Sequence, residues 1–238
     1  ELRLMLTLDF GTVLSGVAQL AGLDRDNLPT HFFKQVRDLA NRRLAIVYIS
    51  APWPDLVRIE NLTDAPSTSA SDKFTMTSAM GDVIEVYQKD PLLTTEAIPQ
   101  SYRLYDDGTD RFIYTRGGQT SVYVEYREAR TDLTGDPWKA GTYITGAQAY
   151  DDSNFYSAKE ATAAEPVSGG STHEDWEKIK IPSRFMGYLT QGIYTDYLTA
   201  NGTPNPLEEQ KAEGLLSIEL DSLHREQGQV RKPKVSTY

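Results

Sequence analysis

Residues 30–56 read THFFKQVRDLANRRLAIVYISAPWPDL and contain the clearest helical pattern of the sequence. Apolar residues recur there at intervals of three and four, as on one face of an amphipathic helix: they are Phe32, Phe33, Val36, Leu39, Ala40 and Leu44. The charged residues are expected on the other faces: they are Lys34, Arg37, Asp38, Arg42 and Arg43. Residues 51–54 (APWP) should end the helix, because proline lacks an amide hydrogen and restricts the residue before it.

Three other segments show the same helical spacing. The first begins near Thr7 and stops at Gly22, since glycine commonly follows the last turn of a helix. The second covers residues 182–199, and the third covers residues 207–227, where six acidic residues outnumber two basic ones. We therefore expect helices at both ends of the chain, on either side of a middle region of different character.

The middle of the chain changes to the two-residue period of a half-buried strand. Residues 82–87 (DVIEVY) alternate apolar and polar side chains, and residues 101–104 form a shorter candidate strand. Two further candidates, residues 111–115 and 120–126, flank the sequence RGGQ of residues 116–119. Because a Gly-Gly pair tolerates the positive φ of a tight turn, these two strands are predicted to form a β-hairpin.

Residues 136–179 differ from both flanks in their aromatic content. Large rings recur there without regular spacing, and glycine and proline break the intervals; the rings are Trp138, Tyr143, Tyr150, Phe155, Tyr156 and Trp176. Large rings bury much area per residue, so they are suited to the core of a small, loop-rich β module. The pattern also resembles the small chitin- and cellulose-binding modules, in which case the rings would contact a glycan or a neighbouring protein.

The composition argues against several kinds of chemistry. The 238 residues carry 24 basic and 34 acidic side chains, a net charge of −10, no cysteine and three histidines. Without cysteine, disulfides, thiolate metal sites and cysteine nucleophiles are excluded. The common nucleotide-loop, zinc-protease and serine-hydrolase motifs are missing, and residues 106–110 (DDGTD) match a calcium loop only faintly. We therefore expect no catalysis, no cofactor and no bound metal.

Membrane association is not expected either. No apolar run approaches the roughly 20 residues that are needed to span a bilayer. The first ten residues lack the basic region and the long apolar region of a signal peptide. These features favour a soluble protein that is intracellular or carried by a particle.

Several short motifs resemble one known family. Residues 41–45 (NRRLA) followed by residues 53–56 (WPDL) are similar to a stretch of the head-to-tail adaptor proteins, also called neck or connector proteins, of tailed bacteriophages. Further similarities follow in order along the chain: residues 82–87 with 90–91, residues 122–127, residues 181–182 and residues 212–216. None of these motifs has a catalytic composition.

The resemblance implies a fold and a structural role. Its members combine N- and C-terminal helices in a bundle with a β insertion, so an α+β class is expected. They assemble as rings of about twelve copies beneath the portal of the virion, where they extend the DNA channel and present a platform for the tail. The implied partners are further copies of the chain, the portal, tail or nozzle proteins, and genomic double-stranded DNA that passes without sequence-specific binding. The implied locations are the virion neck and, during assembly, the host cytoplasm.

The same reasoning divides the chain into three parts. Residues 1–135 and 180–238 would form the adaptor core with its helices and hairpin, and residues 136–179 would form the inserted aromatic module on the outside of the ring. Residues 227–238 would form an extended tail, because Gly228 and Pro233 oppose helix continuation.

The basic tail is the expected contact to the portal. Its cations, Arg231, Lys232 and Lys234, would pair with portal carboxylates. Its apolar residues, Val230, Val235 and Tyr238, would fill small apolar sites, with the tail adding as a strand to a portal sheet as one mode of docking.

Two other functions agree with the same sequence features. One is a different neck or tail component, such as a stopper or a tail terminator, for which sixfold symmetry would be expected. The other is a carbohydrate-binding virion protein whose aromatic module contacts glycans on the host surface. The symmetry of the assembled ring separates these alternatives, because a glycan binder has no need to form a ring.

Overall fold

The computed structural model describes residues 7–25, 27–63, 72–94, 96–168 and 170–230, with side chains as far as residue 226. Within these residues there are four α-helices: α1 (Phe10–Leu20), α2 (Thr30–Ser50), α3 (Met186–Ala200) and α4 (Pro206–Val230). The strands are β1 (Val57–Thr63), β2 (Asp72–Thr75), β3 (Met80–Tyr87), β4 (Arg103–Asp106), β5 (Arg111–Thr115), β6 (Ser121–Glu128), β7 (Asp136–Pro137), β8 (Gln148–Asp151), β9 (Asn154–Ala158), β10 (Val167–Ser168), β11 (Ser171–Thr172) and β12 (Trp176–Lys178). The chain is therefore of mixed α+β class.

The chain divides into two compact units. Glu1–Ala51 and Thr131–Tyr238 form the first, which we call the helical unit, and Pro52–Arg130 forms the second, which we call the β unit. The sequence-based division is different, because it separates residues 136–179 and keeps residues 52–130 in the core. The reason for the difference lies in the packing of the aromatic rings.

Aromatic contacts tie residues 136–179 to the helices. The Phe10 ring of α1 packs edge-on against Phe155, with ring centroids 4.9 Å apart, and Phe33 of α2 lies 4.8 Å from Tyr150. The amide of Gly11 also donates to the carbonyl of Ser153, at 3.0 Å. Helices α1 and α2 therefore cover one side of β8 and β9, which belong to a small sheet with the strand order β12-β9-β8-β7.

Helix α3 occupies the centre of the helical unit. It packs against α1, α2 and α4, and it buries Tyr188, Leu189 and Ile193 on the sides that face them. Helix α4 continues to Val230 and so passes the end that was predicted at residue 227. Gly228 does not stop the helix, since the residues up to Val230 retain their backbone donors and precede Pro233 by three positions. Residues 231–238 lie outside the described residues.

The β unit consists of two three-stranded antiparallel sheets that share one core. The strand orders are β1-β6-β3 and β2-β5-β4. Buried side chains from both sheets and from the segment after β2 meet in the core: Leu62, Phe74, Met76, Met80, Val86, Ile113, Val122, Val124 and Tyr126. Every one of these residues belongs to the β unit itself.

The predicted hairpin of residues 111–126 is wrong. Strand β5 pairs with β2 and β4, whereas β6 pairs with β1 and β3, so the Gly-Gly turn carries the chain from one sheet to the other. Ile113 of β5 and Val124 of β6 are both fully buried in the core that the two sheets share. The hairpin of this region is β4–β5, where Asp107 and Asp110 close the turn by a backbone hydrogen bond of 3.2 Å.

We predict that Pro52–Arg130, produced alone, folds cooperatively, because its core contains residues of that segment only. Thermal unfolding followed by circular dichroism should show one sigmoidal transition. The Val124→Asp variant is the control and should abolish the transition, since it buries an unpaired charge in the core. A fragment with the spectrum of a random coil would contradict the prediction.

Candidate functional site

The six aromatic residues of 136–179 fall into two groups. Tyr150 and Phe155 contact the helices, as described above. Tyr156 and Trp176 are buried in a second cluster with Ala149 and Ala158, against which Trp138 and Tyr143 pack. The six residues therefore lie in two groups and do not form one surface.

The geometry of these rings is that of packing contacts. The ring planes of Tyr143 and Trp176 are inclined by 68°, and Trp176 Nε1 donates to the carbonyl of Ala164, at 3.0 Å. Burial raises the pKa of Tyr150 to about 12, which keeps its phenol neutral against the helices. Sugars stack on exposed rings that share a plane, and this pair offers no such platform.

Arg43 is a buried charged side chain of helix α2. It is only 6% exposed, although the sequence pattern placed it on a solvent face. That expectation is wrong, because Arg43 lies seven residues after the buried Val36 and four before the buried Val47, on the same face of α2. This spacing was the signal in the sequence that could have identified it.

Two carboxylates hold the Arg43 guanidinium. Its Nε and Nη2 atoms donate to the two oxygens of Asp196 in α3, at 2.9 and 2.8 Å. Its Nη1 and Nη2 atoms donate to the two oxygens of Glu209 in α4, at 3.0 and 2.8 Å. One side chain of α2 therefore binds both C-terminal helices through two forked ion pairs, the geometry in which charge-assisted hydrogen bonds are strongest.

The ion pairs remain charged in the folded protein. Burial alone would lower the pKa of Arg43, but the hydrogen bonds to Glu209 and Asp196 outweigh it and raise the pKa above its ordinary value. The hydrogen bond from Arg43 in turn lowers the pKa of Glu209. Gly192 makes room for the guanidinium, since a Cβ atom there would lie 3.0 Å from Arg43 Cδ and Nε.

The other residues of the NRRL motif have different surroundings. Asn41 exchanges two hydrogen bonds with the backbone of Leu133, at 2.9 and 2.8 Å, and so holds the chain where it enters the aromatic segment. Arg37, one turn earlier, donates to the carbonyl of Thr134 and to Asp136. Arg42 is exposed. Asn41 of the motif and Arg37 before it therefore position the chain within the helical unit.

The WPDL motif forms the turn before β1. The amides of Leu56 and Val57 both donate to the carbonyl of Trp53, and the Trp53 side chain is fully buried. The buried ring and the hydrogen-bonded turn set the direction in which the β unit begins.

The acidic residues 106–110 cap a turn. The side chain of Asp106 accepts from the amide of Gly108, and that of Asp107 accepts from the amides of Thr109 and Asp110. The backbone donors lower the pKa of Asp107. Among the residues that the structure describes, no group of three or more His, Asp or Glu side chains is arranged to hold a metal ion.

Two exposed apolar surfaces on the helices were not identified from the sequence. The α2 patch consists of Ile46 and Ile49, and Ile49 is 74% exposed. The α4 patch consists of Leu207, Leu215 and Ile218, and Ile218 is 61% exposed. Their spacings of three and eight residues place the members of each patch on one side of their helix.

The expected portal contacts cannot be placed in the fold. Val230 is the last residue of α4, and its side chain lies outside the described residues. Arg231, Lys232, Lys234, Val235 and Tyr238 also lie outside them.

No protein-family model matches the chain, and no curated protein matches it. In the described part of the chain, none of the helices has the length and apolar content needed to cross a membrane.

We predict that Arg43→Ala lowers the free energy of unfolding by about 3–5 kcal/mol, because it leaves Asp196 and Glu209 partly buried without their cation. Arg42→Ala is the matched control and should change it by less than about 0.5 kcal/mol, since Arg42 is exposed. Urea unfolding of both variants provides the measurement. Equal stability of the two variants would show that the ion pairs do not hold the helices.

Proposed function

We propose that the protein is the head-to-tail adaptor of a tailed double-stranded DNA bacteriophage. In this role about twelve copies form a ring beneath the portal, extend the DNA channel and provide the attachment platform for the tail. The protein acts structurally and without catalysis, in the neck of the virion.

The observation that carries the proposal is the pair of unlike apolar patches on the helical unit. Exposed apolar residues that cluster on a surface are typical of protein–protein contacts. The α2 patch and the α4 patch differ in residues and in helix, so a contact between them joins one copy head-to-tail to the next. Head-to-tail contacts of this kind generate closed rings when the rotation between copies divides a full turn.

The Arg43 ion pairs support ring closure. A ring of fixed size needs the same angle between every two neighbours, and therefore a rigid arrangement of the two patches. Arg43 links α2, which carries one patch, to α4, which carries the other, through hydrogen bonds no longer than 3.0 Å. The residue of the NRRL motif that was expected at the surface would thus set the geometry of assembly.

The charge of the chain suits a DNA channel. Each copy carries −10, and α4 contributes exposed carboxylates such as Glu213 and Asp221. DNA binding by charge depends on cations that displace the counterions of phosphates, and an acidic lumen offers few. DNA would therefore move through the ring without adhering to it.

The finer features of the fold have matching roles in this proposal. The four helices act as the bundle that builds the ring, and residues 136–179 act as the aromatic module on its outside. The module's buried rings pack against one another and against the helices. Its contacts to other virion proteins, apart from the contact between copies of the ring, would therefore be made by exposed residues such as Ile144.

The basic tail would join the ring to the portal. Arg231, Lys232 and Lys234 follow directly on the acidic helix α4, and they provide the cations for portal carboxylates. Val230, Val235 and Tyr238 provide the apolar contacts. Twelve weak contacts of this kind would add up to strong binding, because the copies of a ring engage together.

We predict that the purified protein forms rings in electron micrographs and that Ile49→Asp and Ile218→Asp each abolish them, since either charge would be buried at the contact. Ile144→Asp is the matched control, exposed to a similar degree but outside both patches, and it should leave the rings intact. Class averages also test the symmetry: about twelvefold supports the adaptor. Sixfold rings would instead indicate a stopper or terminator, and a monomer that binds glycans would overturn the proposal.

We also predict that removal of residues 231–238 abolishes binding to portal-bearing heads while ring formation persists. This truncation leaves α4 complete, because the helix ends at Val230. A full-length variant with Arg231, Lys232 and Lys234 replaced by Gln separates charge from length and should bind at least about tenfold more weakly. Co-sedimentation with heads measures both. Unchanged binding of the truncated protein would place the anchor elsewhere.

A further inference from the structure

Strand β4 is an unprotected edge of the β unit. It pairs with β5 on one side, and none of the described residues pairs with its other side. All four of its residues are exposed, and Leu104, which faces the same side of the sheet as the buried Ile113, is 49% exposed. Open edges of this kind pair readily with another extended segment.

A cavity accompanies this edge. Its volume is about 550 Å³, and residues 101–105 and 114–116 line it. Among the described residues no carboxylate pairs with Arg103 or Arg116, and the Thr115 hydroxyl, in a residue only 2% exposed, has no hydrogen-bond partner. The edge therefore offers two cations, a buried polar atom and an apolar face to whatever occupies it.

The N-terminal sequence has the matching pattern. Residues 1–8 read ELRLMLTL, with leucine at positions 2, 4, 6 and 8, the alternation that places every leucine on one face of a strand. Thr7, the first residue that the structure describes, pairs with Pro182 in an antiparallel bridge, and the next residue, Leu8, is buried. Six extended residues span about 20 Å, which exceeds the roughly 13 Å of a four-residue strand.

We propose that residues 1–6 of one copy add as a strand to the free edge of β4 in a neighbouring copy. Leu2, Leu4 and Leu6 would cover Leu104 and extend the apolar core of the β unit. Glu1 would supply a carboxylate to the two unpaired arginines. This inference rests on the proposed function in so far as the ring brings a second copy alongside.

The C-terminal tail fits this edge less well. Its cations, Arg231, Lys232 and Lys234, would face Arg103 and Arg116 and be repelled. Pro233 would also remove a donor from the ladder that the added strand must form. The tail carries three cations and no acidic side chain, whereas residues 1–6 carry one cation, Arg3, and one carboxylate, Glu1. Charge and backbone chemistry therefore favour the N-terminal segment over the tail.

Disulfide trapping tests the contact, because the chain has no cysteine of its own. A protein with Leu2→Cys, Leu4→Cys or Leu6→Cys is mixed with one that carries Leu104→Cys and is then oxidised. We expect a cross-linked dimer that requires both proteins. Arg3→Cys and Met5→Cys are the matched controls: they would lie on the opposite face and should instead cross-link to Tyr105→Cys, since a shift of one residue reverses the face.

A double variant in one chain, Leu4→Cys with Leu104→Cys, identifies the source of the strand. Cross-linking within single chains at high dilution would overturn the involvement of a second copy. Absence of cross-linking from all three leucine positions in assembled rings would overturn the strand addition while the adaptor proposal stands. Cross-linked pairs without rings in electron micrographs would support the strand addition and count against the adaptor.

Deletion of residues 1–6 tests the energetic role of the contact. We expect the protein concentration at half-assembly to rise at least about tenfold, which corresponds to the loss of roughly 1.4 kcal/mol per contact. Leu104→Arg changes an exposed position outside the core. It should raise the protein concentration at half-assembly by a factor of the same order. Assembly at unchanged concentration for both variants would overturn the inference.

Discussion

The arrangement of the helices depends on the burial of one guanidinium. A buried cation is costly unless hydrogen bonds and opposite charges satisfy it. Arg43 therefore fixes Asp196 and Glu209 within hydrogen-bond distance, and with them the positions of α3 and α4 against α2. Gly192 is part of the same constraint, because a side chain there would collide with Arg43. Stiffness between helices is what a ring subunit needs, and here it follows from electrostatics as much as from apolar packing.

Aromatic contacts determine how the chain is divided. Phe10 and Phe33 come from the first two helices, yet they pack against Tyr150 and Phe155, more than a hundred residues later. These contacts draw residues 136–179 into the helical unit. The intervening segment can then fold as a β unit around a core of its own. The β unit is thus the insertion between helices, and the aromatic segment belongs with the helices that it contacts.

Both units have apolar residues that are exposed and lie outside their cores. In the helical unit they include residues of α2 and α4, and in the β unit they include Leu104 of the edge strand β4. A surface helix needs an apolar stripe on its buried side only, and an edge strand is commonly protected by charge or proline. These surfaces are the physical basis for the proposal that copies of the protein contact one another.

The sequence by itself determined the local elements, because their patterns repeat over a few residues. The spacing of Val36 and Leu44 predicted α2, the APWP segment predicted its end, and the alternation of residues 82–87 predicted β3. Tertiary structure alone decided which elements meet. Gly117 and Gly118 permit a turn but do not select its partner strands, so β5 and β6 lie in different sheets. The spacing of Arg43 within α2 could have indicated its burial, but its two carboxylates lie 153 and 166 residues away. Such pairing is decided by the packing of whole helices, since a short-range pattern carries no information about a partner so distant in the chain.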